Sequence, residues 1–120
     1  MADFRFEQLE IWKSAIELGN ALFDIAQIAE GQKKYRFSEQ LNGAALSISN
    51  NIAEGSGASS NKEFARFLSI ARKSLFECVN ILHVFELRGI ISSETRLSLY
   101  PELVGLSKQI YFFRQKLLQE

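Results

Sequence analysis

Apolar residues recur every three or four positions along most of the chain, which is the spacing of amphipathic α-helices. Four such segments are separated by short polar or glycine-containing stretches. The predicted helices cover about residues 7–29, 37–54, 61–87 and 93–118. Four helices with short connections predict an all-α fold, an antiparallel up-down-up-down four-helix bundle. We expect a single domain over residues 1–120, with a short N-terminal arm at 1–5.

Each of the last three helices carries one apolar stripe that is expected to face the core. In the second helix the stripe is Phe37, Leu41, Ala44, Ala45, Ile48 and Ile52. In the third it is Phe64, Phe67, Leu68, Ala71, Leu75, Cys78, Leu82 and Phe85. In the fourth it is Leu103, Leu106, Ile110, Phe113 and Leu117.

Local signals mark where the helices begin and end. Gly55 and Gly57 bracket Ser56, and glycine can end a helix in the left-handed conformation without a Cβ penalty. Ser60 followed by Glu63 is a capping box, which predicts that the third helix begins there. A stop at Arg88-Gly89 is predicted for its other end, because glycine is common just past a helix C-terminus.

Pro101 interrupts the fourth apolar pattern. Proline removes one helical hydrogen bond and clashes with the preceding turn. The sequence therefore predicts either a kink between Leu97 and Tyr100, or a short helix followed by a longer one from Pro101 to Leu118.

The first helix differs from the others in carrying two apolar stripes, which together cover about half of its circumference. One contains Leu9, Trp12, Ile16, Gly19, Phe23 and Ala26, and the other contains Ile11, Ala15, Leu18, Leu22, Ile25 and Ala29. One stripe suffices for a monomeric bundle, so we expect another copy of the chain to cover the second. The predicted interface residues are Ile11, Ala15, Leu18, Leu22 and Ile25. The alternative is that this helix is central in its own bundle.

Two runs of residues resemble a known family. Residues 47–55 read Ser-Ile-Ser-Asn-Asn-Ile-Ala-Glu-Gly, and residues 62–75 read Lys-Glu-Phe-Ala-Arg-Phe-Leu-Ser-Ile-Ala-Arg-Lys-Ser-Leu. Both are similar to the bacterial four-helix-bundle proteins called 23S rRNA intervening-sequence proteins, which are also described as ribosomal-protein-like. The opening pattern Phe6-x-x-Leu9-x-Ile11-Trp12-x-x-Ala15 fits as well, so the resemblance covers nearly the whole chain. Lys73 departs from it, since the family commonly has glycine there.

The resemblance implies a homo-oligomer, since family members look like pentameric rings. It implies no biochemical activity, because the role of the family is largely unassigned. The family name reflects genes found in inserts within 23S rRNA genes, and that placement does not show RNA binding.

Composition narrows the function classes. Fourteen basic and 14 acidic residues balance, so the chain as a whole has no electrostatic attraction to nucleic acid or to anionic membranes. A single cysteine, Cys78, excludes an internal disulfide and suits a reducing cytosol. We expect no signal peptide, because the first residues lack a basic region followed by an apolar core, and no apolar run reaches the ~20 residues that span a bilayer. We expect a cytoplasmic protein.

Candidate chemistry is sparse. The single histidine, His83, gives no pair of Glu-x-x-His motifs for a di-iron site, and Cys78 lies on an apolar stripe with no histidine on the same helix face. We therefore expect no metal, no cofactor and no enzymatic activity.

Polar residues flank the turn between the second and third helices. They are Asn51, Glu54, Arg72, Ser74 and Glu77. Gly55, which belongs to the family motif, is grouped with them as a candidate site residue. One interpretation is a structural hydrogen-bonded network that includes a buried Glu54–Arg72 pair and fixes the helix register. The alternative is that these side chains line a shared groove for a ligand.

Lys62, Arg66 and Lys73 project within about 40° of one another on the third helix and could hold a phosphate backbone. Lys33, Lys34 and Arg36 form a second basic cluster. The neutral total charge, the nearby Glu77 and the lack of interleaved aromatic residues oppose nucleic-acid binding. Two hypotheses remain: a homo-oligomeric scaffold or adaptor for other proteins, and an RNA- or DNA-associated bundle that uses the basic stripe.

Overall fold

The computed structural model describes residues 3–120, and every regular element within that range is a helix. A short 3-10 turn at Arg5–Gln8 precedes the first long helix. The α-helices are α1 (Glu10–Gly31), α2 (Tyr35–Ser56), α3 (Asn61–Leu87), α4 (Ser93–Ser98) and α5 (Tyr100–Gln119). Of the predicted N-terminal arm, Met1 and Ala2 lie outside the described residues.

The four long helices α1, α2, α3 and α5 form an elongated bundle of 46 × 23 × 23 Å. Packing is most extensive between α2 and its two neighbours, α1 and α3. The fifth helix packs mainly on α3 and touches α1 less extensively. All-α architecture with four long helices is therefore confirmed, and α3 lies between α2 and α5.

The core is built from the predicted apolar stripes of α2, α3 and α5 and from one of the two stripes of α1. Every stripe residue of α2, α3 and α5 is buried except Phe37, Phe67 and Phe113, which are half-buried at the edge of the core. Each fully buried Leu, Ile or Phe side chain contributes roughly 1.5–3 kcal/mol relative to an exposed one. The core also includes Ile90 and Ile91, which close one end of the bundle after α3.

The stripe of α1 that was predicted to meet another subunit lies instead inside the chain's own core. Its residues Ile11, Ala15, Leu18, Leu22 and Ile25 are only 0–5% exposed. They contact the bundle's other helices and leave no surface for a second copy, so the assignment of these residues to an interface is wrong. The other stripe is less completely covered, because Ile16 is 37% exposed and Trp12 and Phe23 are half-buried.

The break near Pro101 takes the second of the two predicted forms. The short helix α4 ends at Ser98, and α5 begins at Tyr100 with Pro101 in its first turn. A proline is tolerated there because the first N–H groups of a helix have no intrahelical acceptor. Leu99, between the two helices, is buried and anchors the bend to the core.

The ends of α3 follow the predicted signals. The hydroxyl of Ser60 accepts a hydrogen bond from the backbone N–H of Glu63 at 3.1 Å. The reciprocal half of the capping box is absent, since the Glu63 carboxylate accepts from Arg66 instead. At the other end Gly89 has a φ of +72°, the left-handed conformation in which glycine has no Cβ penalty.

Gly55 has a different role from the predicted one. Among residues 3–120, Gly89 is the only glycine with a positive φ, and Gly55 is a buried helical residue of α2. A Cβ atom at Gly55 would lie 2.7 Å from Cβ of Phe67 and 2.8 Å from Cδ1 of Phe64. Glycine is therefore required at this position because α3 approaches α2 too closely for a side chain.

Replacing Gly55 by alanine should destabilise the fold. The new methyl group overlaps two aromatic side chains, one of them fully buried, and such overpacking typically costs ~1–3 kcal/mol. Gly43→Ala is the matched control in α2, because a Cβ there has no atom within 4 Å. It should raise the free energy of unfolding by up to ~1 kcal/mol through helix propensity. Urea unfolding of both variants checks this; a Gly55→Ala protein as stable as the parent would contradict the packing argument.

Candidate functional site

Three hydroxyl and amide side chains connect α2 to α3. Asn51 Nδ2 donates to the backbone oxygen of Ser47 at 2.8 Å and to its hydroxyl at 3.0 Å. The Ser47 hydroxyl lies 2.8 Å from the hydroxyl of Ser74 on α3. Asn51 and Ser74 therefore belong to one network as predicted, and Ser47, which was not among the predicted members, is its centre.

The predicted Glu54–Arg72 pair does not form. Neighbouring residues of a helix point about 100° apart, so the packing of Gly55 against α3 turns Glu54 towards solvent. Arg72 extends in the other direction, towards α5, where its Nε donates to the backbone oxygen of Ser107 at 3.2 Å. The predicted polar residues therefore do not all belong to one network: Asn51 and Ser74 are linked through Ser47, whereas Glu54 faces solvent and Arg72 bonds to α5.

Glu77 lies in a polar groove between α2 and α3, with a volume of about 560 Å³. The groove is lined by Arg36, Glu39, Gln40, Gly43, Ala44, Ser47, Ser74 and Glu77. Its charged side chains have mixed signs, and the Ser47 and Ser74 hydroxyls already bond to each other. This groove therefore shows no preference for a ligand of one charge.

Three adjoining grooves run between α3 and α5, and together they form what we call the α3–α5 face. We number them along α3 from its N-terminal end. The first and second grooves share the lining residues Ser69 and Arg114, and the second and third share Arg72 and Phe76. Along α3 the face extends from Lys62 to Asn80, which is about 27 Å at 1.5 Å per residue.

Basic residues concentrate on the α3–α5 face. The cationic side chains that line it are Lys62, Arg66, Arg72, Lys73, Lys108 and Arg114. One carboxylate, Glu63, accompanies them, which leaves eight of the 14 basic and 13 of the 14 acidic residues to the rest of the chain. Although the total charge of the chain is zero, its basic and acidic residues are therefore strongly separated on the surface.

Aromatic side chains lie among these cations. Phe76 of α3 is 56% exposed, and Tyr100 and Tyr111 of α5 are 48% and 42% exposed. The guanidinium carbon of Arg72 lies 5.0 Å from the Phe76 ring centre and 5.3 Å from that of Tyr111, so it sits against both rings. These interleaved aromatics could not be predicted from the sequence, because two of the three come from α5, whose pairing with α3 no local pattern reveals.

The predicted basic stripe occupies one part of this face. Arg66 forms an ion pair with Glu63 at 2.7 Å, and the hydrogen bond between them lowers the pKa of Glu63 and raises that of Arg66. Lys62 and Lys73 are exposed. The positive charge of Arg66 is therefore largely neutralised by Glu63, whereas the charges of Lys62 and Lys73 remain available to a ligand.

The second basic cluster lies at the other end of the bundle. Gln32, beside Lys33 and Lys34, donates to the backbone oxygen of Ile90 at 3.0 Å, so this connection packs near the C-terminal end of α3. Lys62 is in the first turn of α3. The structure does not bring the two clusters together.

The cysteine and the histidine lie apart from the grooves. Cys78 is buried in the core, and burial raises the pKa of its thiol to about 12, so very little thiolate exists at neutral pH. His83 is exposed on α3. Within residues 3–120, no three Cys, His, Asp or Glu side chains converge to hold a metal ion. In the same part of the chain, every helix is too short or too polar to cross a membrane.

Fold and surface together define an all-α helical-bundle protein with one cationic, aromatic face. The model of the 23S rRNA-intervening sequence protein family matches residues 7–112, and the chain belongs to that family. The matched segment contains every lining residue of the α3–α5 face except Arg114 and Leu118. No curated protein matches the chain.

Proposed function

We propose that the protein is a non-enzymatic helical bundle that binds nucleic acid, RNA in the first instance, on its α3–α5 face. The observation that carries this proposal is the separation of charge. Six of the 14 basic residues line one face with a single carboxylate, in a chain whose total charge is zero.

Lysine and arginine side chains bind phosphates largely by releasing the counterions condensed on the nucleic acid. On α3 the cations spread from Lys62 to Lys73, about 17 Å at 1.5 Å per residue, which suits a chain of successive phosphates better than a single small anion. Exposed aromatic rings among cations are also what binding of unpaired bases requires. The family name mentions 23S rRNA, which makes RNA the first ligand to test.

Binding should depend on salt and on the unpaired lysines. The protein should shift the fluorescence anisotropy of a labelled RNA at low salt, and log K should fall linearly with log salt concentration. Lys62→Gln and Lys73→Gln should each reduce the slope by about 0.7 for a single strand.

Lys13→Gln is the matched control for these two variants. It removes a lysine of α1 that lies 3.7 Å from Glu10 and lines none of the three α3–α5 grooves. Absence of binding at low salt would refute the proposal, and so would an equal effect of Lys13→Gln.

We also propose that the chain assembles into a cytoplasmic homo-oligomer, a pentamer by family resemblance, and that it serves as a scaffold for protein partners. The supporting observation is the incompletely covered stripe of α1, where Ile16 is 37% exposed between the half-buried Trp12 and Phe23. An apolar strip of this kind on a helix is a common subunit contact. Assembly would repeat the α3–α5 face in each subunit and strengthen its binding through multivalency.

Ile16→Glu should dissociate such an oligomer, because it places a charge in the centre of the apolar strip. Leu87→Glu is the control, since it changes an exposed leucine at the end of α3. Sedimentation equilibrium of the parent and both variants measures the effect. If the parent sediments as a 13.6 kDa particle at every concentration, the proposed assembly does not exist.

A further inference from the structure

We propose that the α3–α5 face takes unpaired nucleotides, with a base in its apolar groove and the adjoining phosphates on its cations, and therefore prefers single-stranded nucleic acid to duplex. This inference rests on the proposed function and specifies its ligand.

The third groove of the face is suited to a flat apolar ring. It has a volume of about 400 Å³, and its walls include Leu75, Val79, Leu103 and Val104. The rings of Phe76 and Tyr100 line the same groove. Pockets of a few hundred Å³ with apolar walls and a few polar groups are typical of small-ligand sites.

Charge at the groove selects the kind of ring. Arg72 and Lys108 line it, and no carboxylate does. An aromatic ring attached to a phosphate fits this combination, whereas a cationic or neutral apolar ligand leaves the two positive charges unmatched. A nucleotide base with its phosphates has that chemistry.

Arg72 connects the apolar groove to the cationic groove beside it, because it lines both. Its Nε donates to the backbone oxygen of Ser107, and its guanidinium carbon lies 5.0 Å and 5.3 Å from the ring centres of Phe76 and Tyr111. Among the described residues this is its one hydrogen bond, so the two terminal nitrogens are left to donate to a phosphate. A fixed guanidinium loses less conformational entropy on binding than a mobile one.

Bases of a duplex cannot use this site. Their faces are stacked on neighbouring base pairs, and only their edges are accessible in the grooves. The ring faces of Phe76 and Tyr100 can be used only by a base that has left its stack, as in single strands and loops. Preference for unpaired nucleotides follows.

Stacking can be measured separately from phosphate binding. A single-stranded RNA that contains 2-aminopurine, whose fluorescence is quenched by stacking, is titrated with the protein; a hairpin duplex of equal length serves as competitor. We expect quenching on binding, and competition by the hairpin at least about tenfold weaker than by unlabelled single strand. Phe76→Ala and Tyr100→Ala should each weaken single-strand binding roughly 5- to 150-fold and reduce the quenching. The salt slope should not change.

Phe112→Ala is the matched control, because this α5 residue is 65% exposed and lines none of the three grooves. If Phe76→Ala lowers the melting temperature, Phe76→Leu replaces it, since leucine keeps an apolar side chain and removes the ring. Salt-dependent binding without quenching, or equal affinity for the hairpin, overturns the preference for unpaired bases and leaves the proposed function standing. Absence of binding to either RNA at low salt overturns both.

Discussion

The contact between Gly55 of α2 and the first two turns of α3 fixes the arrangement on which the rest of the structure depends. The absence of a side chain at Gly55 lets Phe64 and Phe67 lie directly against the backbone of α2. The Phe64 ring also meets the Phe113 ring of α5 edge-on, with centroids 5.6 Å apart. One buried phenylalanine thereby couples three helices and sets the rotation of α3 about its own axis.

That rotation decides what each side of α3 does. Its apolar stripe enters the core, Ser74 meets Ser47 of α2, and Arg72 turns to α5. Arg114 of α5 reaches back in the same way, since its Nε donates to the backbone oxygen of Ala65 at 3.0 Å. Two arginines therefore cross between α3 and α5 with their Nε groups bonded to the opposite helix, which holds their charges along the groove.

Features that lie within one helix could be predicted from the sequence, and features that depend on which helices are neighbours could not. The start of α3 at Ser60, the break before Pro101 and the core stripes follow from capping, proline chemistry and periodicity. The expected Glu54–Arg72 pair assumed a rotation of α2 that Gly55 does not allow. Tyr100 and Tyr111 lie beside Arg72 only because α5 packs on α3. The basic residues of α3 could therefore be predicted from the sequence, but the aromatic residues next to them could not.

Whether the α3–α5 face is the binding surface can be tested by following backbone amide NMR shifts during a titration with single-stranded RNA. We expect the largest shift changes at residues 62–80 of α3 and 100–114 of α5, with α1 and the polar groove between α2 and α3 little affected. Changes centred on α1 or on the α2–α3 groove would contradict it. So would a spectrum that does not change at low salt.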